Sequence, residues 1–237
     1  MGVVLNPTPT EDDLARAAGL LPGGPGHSHQ SVRDISALAA VPNLVMAEPS
    51  VEAEVAPLYH HLLELPESAY LRLVSVKWPM PFAYPPGHTP RVGQGWIARE
   101  GPDALIIGYG PWMLANAFEA AEDLQQRAGI DARIVALPWL NRVDPGWLKQ
   151  TIGSRRAVVT LDNHYVHGGQ GDMVAAAIAE LAIDPAVRVT RIGVEELPEC
   201  GTNDEVLAHH RLDVAGLVSR LETALAPVLT GAVPNPR

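Results

Sequence analysis

Continuous apolar runs alternate with helically spaced apolar positions in the part of the chain after residue 95. Strands are predicted at 104–107, 133–137, 157–161 and 187–192. Continuous runs of this length are typical of strands that are covered on both faces. Helices are predicted between and after them, with Pro111 in a first turn and with Asp144 and Asp213 as N-caps. Alternating strands and helices predict an α/β fold with a mostly parallel sheet.

Fewer helices and strands are predicted before residue 79. The predicted elements are strands at 44–47 and 69–74 and helices at 31–40 and 51–65. Residues 1–26 are expected to be loosely structured apart from a short helix through Leu14. Because two strand–helix units are too few to bury both faces of a sheet, we expect an N-terminally truncated α/β domain that another chain stabilises.

A proline-dense segment divides the chain. Five of the twelve residues from 79 to 90 are prolines, which excludes a regular helix or a central strand there. We interpret residues 79–95 as an extended linker on the surface. The predicted domains are therefore residues 1–78 and residues 96–230.

Composition limits the classes of function. A net charge of −10 argues against nucleic acids and anionic membranes as partners. Cys200 is the single cysteine, which excludes an intrachain disulfide framework and suits a reducing compartment. No apolar run approaches the roughly 20 residues that a membrane helix needs. The first residues lack the sequence pattern of a secretory signal. We expect a soluble cytoplasmic protein.

The stretch from Ala157 to Gly171 combines a strand with candidate chemistry. It is expected to form a buried strand, a polar loop with histidines and a Gly-Gly-x-Gly turn that opens a helix. Such a loop lies where open α/β sheets place ligand crevices. His164 and His167 have His-x-x-His spacing, a weak signal for zinc. We favour a loop that packs against a neighbouring domain, and we predict no metal site.

Short motifs occur along the chain in an order and spacing that together are specific. They are Gly24-Pro25-Gly26-His27-Ser28-His29-Gln30, Val41-Pro42-Asn43-Leu44, Pro49-Ser50-Val51-Glu52-Ala53-Glu54, Gly108-Tyr109-Gly110, Asp162-Asn163-His164, Gly168-Gly169-x-Gly171 and Cys200-Gly201-Thr202. On these motifs the chain resembles the C-terminal part of transketolases. It resembles more distantly the β subunits of 2-oxo-acid dehydrogenases and deoxyxylulose-phosphate synthase. The resemblance implies a partial pyrimidine-binding domain followed by a transketolase C-terminal-like domain.

The resemblance implies a catalytic histidine. His29 takes that position when the sequences are aligned on Pro42 and Asn43, whereas the spacing of the dehydrogenases selects His27. An imidazole with a pKa of about 6.5 suits proton transfer to and from substrate hydroxyls.

The resemblance also implies contacts to the substrate from Arg72 and His164. The family often has a second arginine three residues after the first, which binds substrate phosphate. Ser75 stands at that position in this chain. Lys77 is expected to substitute as a point charge, without the two-pronged geometry of arginine.

The family's cofactor is thiamine diphosphate with Mg²⁺. The sequence contains neither the Gly-Asp-Gly motif that holds the diphosphate nor a match to the glutamate that contacts the pyrimidine ring. The resemblance therefore implies that a partner subunit with the diphosphate-binding domain holds most of the cofactor, in an α2β2 hetero-oligomer. No cofactor-binding residue is assigned in this chain.

Three functions are considered. The first is the C-terminal subunit of a split, transketolase-like transferase that moves a two-carbon ketol or acyl unit from a ketose or oxo-acid substrate. The second is a β-like subunit of an oxo-acid dehydrogenase, which passes an acyl unit to a lipoyl or carrier-protein thiol. The third is a non-catalytic scaffold subunit.

Overall fold

The strands in the described part of the protein form two sheets, one of three strands and one of five. The computed structural model describes residues 3–5 and 18–229, with side chains from residue 18 to residue 227. The five-stranded sheet is mostly parallel and alternates with helices along the chain, so the predicted α/β fold is confirmed. None of the helices in the described part is long and apolar enough to cross a membrane.

Residues before the proline-dense segment build the three-stranded sheet. Its strands are β1 (Val3–Leu5), β2 (Leu44–Ala47) and β3 (Ser68–Leu71), in the order β1–β3–β2. Its helices are α1 (Asp34–Leu38) and α2 (Glu52–Glu64). Strands β2 and β3 are parallel, and β1 pairs antiparallel with β3.

The expectation for residues 1–26 needs correction. Val3–Leu5 form a strand, and Ala18, Leu20 and Leu21 are buried. Pairing with β3 and burial against the rest of the chain order these residues, and neither is visible in a local sequence pattern. The short helix predicted through Leu14 lies outside the described residues.

The larger sheet has the order β4–β6–β5–β7–β8. Its strands are β4 (Trp96–Arg99), β5 (Ala104–Gly108), β6 (Ala132–Ala136), β7 (Ala157–Tyr165) and β8 (Arg188–Val194). The accompanying helices are α3 (Pro111–Ala128), α4 (Pro145–Ile152), α5 (Gln170–Glu180), α6 (Asn203–His209) and α7 (Val214–Leu229). All neighbouring pairs are parallel except β4 with β6.

The central strand β5 shares its side chains between two cores. Ile106 packs in the core that contains α3 and α7, whereas Leu105 and Ile107 pack in the core that contains α4 and α5. This division follows from the two-residue period of a strand. The second core also contains β2 and β3, through residues such as Val45 and Leu71. The small sheet is therefore stabilised in part by the large domain of its own chain.

Two features of the large sheet differ from the prediction. Strand β4 was not predicted, and it forms an antiparallel edge next to β6. The predicted polar loop after residue 161 is wrong in part, because β7 continues to Tyr165. The side chains of Asp162, Asn163 and His164 there each have a hydrogen-bond partner inside the protein, which allows these polar residues to remain in the strand.

The proline-dense segment contains neither helix nor strand from residue 79 to residue 95. It nevertheless packs against the large core through Met80, Phe82 and Tyr84. The rings of Phe82 and Tyr84 lie 5.8 and 5.6 Å from the ring of Trp96. The domain limits 1–78 and 96–230 stay predictions.

Glu54 links α2 to the large sheet. Its buried carboxylate accepts hydrogen bonds from Trp96 Nε1 at 2.8 Å and from the backbone N–H of Ser50 at 2.7 Å. Burial raises the pKa of Glu54 to about 7, although these hydrogen bonds act in the opposite direction. The side chain thus fixes the turn before α2 to the first residue of β4.

Candidate active site

The carboxylate of Asp162 anchors the start of α5. It is fully buried on β7 and accepts hydrogen bonds from the backbone N–H groups of Gln170 (2.7 Å) and Gly171 (3.0 Å). The hydroxyl of Tyr109 donates a third, at 3.2 Å. Burial outweighs these donors and raises the pKa of Asp162 to about 7.

The glycine-rich loop is closed around this carboxylate. A Cβ at Gly169 would lie 2.5 Å from Asp162 Oδ1, and a Cβ at Gly171 would lie 2.8 Å from Asp162 Oδ2. Gly168 has a φ of +76°, and a Cβ there would lie 2.4 Å from Ser36 Cβ on α1. These glycines are therefore required by close packing around Asp162 and against the N-terminal part of the chain.

His164 is buried at the same place. Its Nδ1 lies 2.8 Å from the carbonyl oxygen of Tyr165, and its Nε2 accepts the backbone N–H of Ser36 at 3.4 Å. Burial is the main cause that lowers the pKa of His164, which favours the neutral ring. His167 is exposed. Among residues 18–229, no group of three His, Cys, Asp or Glu side chains could hold a metal ion.

The guanidinium of Arg72 lies at the centre of a buried polar network. Its Nε donates to Asp34 Oδ2 at 2.8 Å, and its Nη1 forms an ion pair with Glu48. Its Nη2 donates to the carbonyl oxygens of Ser31 (2.7 Å) and Asn163 (3.0 Å). The side chain of Arg72 is completely buried. All three nitrogens are therefore engaged within the chain, and the network joins the end of β3 to β7.

Asp34 shows the electrostatic effect of this network. Burial by itself would raise the pKa of Asp34, but the charge of Arg72 and hydrogen bonds from Arg72 and Tyr70 lower it below its usual value. The hydroxyl of Tyr70 lies 2.8 Å from Asp34 Oδ2. The carboxylate and the guanidinium thus hold each other in their charged forms.

A cleft of about 410 Å³ opens beside this network. Three segments of the chain line the cleft. Each segment directly follows a residue of the network or a residue next to the network. Pro49 to Glu52 follow Glu48, the residues from Leu73 to Trp78 follow Arg72, and Pro111 follows Gly110, whose Cβ would lie 2.2 Å from Glu48 Oε1. The cleft therefore lies at the carboxyl ends of β2, β3 and β5, where α/β sheets place ligands.

The loop with the two predicted catalytic histidines is anchored by its other residues. Gln30 is buried, and its Nε2 donates to the carbonyl oxygens of Leu20 (2.9 Å) and Glu199 (3.2 Å). His27 and His29 themselves are exposed. The Nδ1 of His29 lies 3.0 Å from the hydroxyl of the adjacent Ser28. The loop is thus fixed while both imidazoles remain accessible.

The predicted site residues fall into three places. Lys77 lines the cleft, and Arg72 and His164 lie in the buried region behind it. His27 and His29 stand on the exposed loop, and neither lines the cleft. Their catalytic role stays a prediction. The predicted substrate contacts of Arg72 and His164 also stay predictions, and each would require the buried region to open.

Two carboxylates of the site were not predicted from the sequence. Glu48 directly follows the apolar run of β2, and Asp34 begins α1. A charged residue at the carboxyl end of a buried strand was the signal available for Glu48. No comparable signal marks Asp34, since its burial depends on Arg72, 38 positions later in the chain.

Comparison with known proteins defines the class of protein. The family model described as the C-terminal domain of transketolase matches residues 93–217, which is more than half of the chain. The chain therefore belongs to the transketolase family, and the resemblance noted in the sequence is confirmed.

Individual relatives agree with this assignment. A transketolase family protein of Sinorhizobium fredii is 34% identical over 170 residues, which cover 70% of this chain and 48% of that protein. A protein of Methanocaldococcus jannaschii, described as a transketolase C-terminal section, is 29% identical over 88% of this chain and 64% of its own length. The chain thus spans about half to two thirds of these two relatives.

A solved structure has a similar fold. It is described as a split gene transketolase, an inactive β4 tetramer, and it superposes with a TM-score of 0.77. The sequences are 28% identical, and the match covers 89% of this chain and 65% of the other.

Enzymes of this family use thiamine diphosphate, and the described residues do not fit that cofactor. The glycine-rich loop, a feature that often receives a phosphate group, is filled by the carboxylate of Asp162, which would repel one. No cluster of acidic or histidine ligands for Mg²⁺ occurs among residues 18–229.

Replacement of Arg72 by methionine tests the network. The expected cost is about 3–5 kcal/mol of unfolding free energy, because Asp34 and Glu48 are left buried without a counter-charge. The loss should shrink as the pH falls, since protonation removes the two unpaired charges. Chemical denaturation at several pH values measures both effects.

The matched control is Arg91→Met, since Arg91 is exposed and no ion pair of its side chain occurs in the described part of the chain. This control should change the unfolding free energy by no more than about 0.5 kcal/mol. An Arg72→Met protein as stable as the control would show that the network contributes nothing.

Proposed function

We propose that the chain is the C-terminal subunit of a split, transketolase-like enzyme. The enzyme would transfer a two-carbon ketol or acyl unit with thiamine diphosphate and Mg²⁺ as cofactors. A partner chain would carry the diphosphate-binding domain, and activity would require both chains. The observation that carries the proposal is the similarity to the split gene transketolase over 89% of this chain.

Two further observations support a partner. The relative from Methanocaldococcus jannaschii is described as a C-terminal section, which implies a complementary section elsewhere. The split gene structure is described as an inactive β4 tetramer, so copies of that one chain assemble without activity. We propose an α2β2 complex with closed two-fold symmetry for the active state of this protein.

In this proposal the residues of the chain bind the substrate and move one proton. Lys77 lies in the cleft and offers a positive charge to the substrate. Arg72 acts as a positioning residue, because its ion pairs hold the segments that line the cleft. His29 has its Nδ1 beside the Ser28 hydroxyl, which leaves Nε2 available to a substrate oxygen as general acid or base.

Reconstitution tests the need for a partner. A tagged form of the chain should capture from its host a protein that contains the Gly-Asp-Gly motif. Calorimetric titration with thiamine diphosphate and Mg²⁺ should then show a micromolar dissociation constant for the complex, about 8 kcal/mol, and no measurable heat for the chain alone.

Two other outcomes of this experiment would contradict parts of the proposal. Micromolar binding by the chain alone would contradict the proposed division of the cofactor site. A stable complex that binds no cofactor and transfers no two-carbon unit would contradict the transferase and leave the scaffold function.

His29→Ala and His27→Ala test the catalytic residue in the reconstituted complex. Because general acid–base catalysis typically contributes about 10²- to 10⁴-fold, His29→Ala should lower turnover by about that factor. His27→Ala should have the smaller effect if the transketolase spacing applies and the larger effect if the dehydrogenase spacing applies. Initial-rate measurements give both values.

His60→Ala is the matched control, since His60 is exposed on α2. All three variants should unfold at nearly the wild-type temperature, because exposed side chains contribute little to stability. Full activity of both loop variants would exclude this loop from the chemistry.

A further inference from the structure

The walls of the cleft beside the network are mostly apolar. Of its thirteen lining residues, the polar ones are Ser50, Glu52, Ser75 and Lys77, and the other nine are apolar. Val51, Val55 and Trp78 are examples of the apolar group. A polyhydroxylated substrate would leave its hydroxyl groups without partners on such walls, and each unpaired group is costly. The composition therefore selects a ligand with an apolar body.

The charges of the cleft are balanced. Among the described residues that line it, Lys77 is the single cation and Glu52 is the single acidic residue. The nearby Arg72 adds no binding capacity, because carboxylates and carbonyl oxygens inside the protein engage all three of its nitrogens. One ammonium supplies a single positive charge without the two-pronged geometry of arginine, which suits a monoanion better than a dianionic phosphate.

Two features of the cleft can receive the anionic group. Ser50 is completely buried, it lines the cleft, and its hydroxyl has no hydrogen-bond partner. Helix α2 begins beside it with Val51 as N-cap, and no side chain caps this 13-residue helix. The positive end of the helix dipole, the unsatisfied hydroxyl of Ser50 and Lys77 therefore lie at the same cleft.

We propose that this cleft binds a short aliphatic carboxylate. The carboxylate would contact Lys77, Ser50 and the start of α2, and the aliphatic chain would lie against Val51, Val55 and Trp78. The binding itself does not require the cofactor or the partner.

Titration of the chain with butyrate, pentanoate and hexanoate, followed by saturation-transfer NMR, tests the proposal. Each added methylene should strengthen binding about fourfold, which corresponds to about 0.8 kcal/mol per buried CH₂. Ribose 5-phosphate and inorganic phosphate should fail to displace hexanoate. The same series is repeated on the reconstituted complex.

Two variants test separately how the charge and the apolar walls contribute to binding. Lys77→Met keeps an apolar stem, so it should weaken all three carboxylates by about tenfold and leave the dependence on chain length unchanged. Val55→Asp should weaken hexanoate most, because it removes an apolar wall and adds a negative charge. This second variant should still fold, since Val55 is only partly buried and an acidic residue in the first turn of a helix is favourable.

Lys149→Met is the matched control, because Lys149 is the other lysine of the chain and is exposed on α4. It should bind the three carboxylates as the wild type does. The proposal is overturned if neither the chain nor the complex binds hexanoate, if affinity does not depend on chain length, or if phosphate compounds compete equally well. Failure of the split-enzyme proposal would appear instead as absent cofactor binding, with carboxylate binding intact.

Discussion

The buried guanidinium of Arg72 is the interaction on which the rest of the structure depends. It leaves the end of β3, pairs with Asp34 of α1 and with Glu48 after β2, and reaches the backbone of Asn163 in β7. One side chain thereby connects both sheets. A fully buried charge is costly unless its partners are well placed, and here every nitrogen of the group has one.

The shape of the cleft depends on the network around Arg72. Its walls are the segments that directly follow Glu48, Arg72 and Gly110, so a change in the network moves the walls. The glycine-rich loop takes part in the same arrangement, because Gly168 packs against Ser36 of α1 and Asp162 holds the start of α5. The glycine-rich loop therefore fastens the N-terminal part to the large sheet.

The sequence predicted the elements that local patterns determine. Apolar runs located β5, β6 and β7. The predicted caps Asp144 and Asp213 are also confirmed, because each accepts a backbone N–H group at the start of its helix. It could not predict β4, whose short edge strand depends on pairing with β6. It could not place Asp162, Asn163 and His164 in a buried strand, because their polarity indicates a loop until their distant partners are known.

The same limit applies to the site. Lys77 could be predicted as a cleft residue, since it follows a strand end near a position where the family often has a phosphate-binding arginine. The engagement of Arg72 within the protein could not, because Glu48 and Asp34 lie 24 and 38 positions away in the sequence. Sequence spacing indicates which residues are neighbours on one helix or strand. It does not indicate that residues from three distant elements surround one buried charge.

The central claim is that this network makes the small sheet and β7 one cooperative unit. Native-state hydrogen exchange measures this most directly, through peptides that cover residues 44–47, 68–71 and 157–165. If the network joins these segments, one opening with a common free energy releases all three, and Arg72→Met lowers that free energy for all three together. Fast local exchange of the two small-sheet peptides, with residues 157–165 still protected, would contradict it.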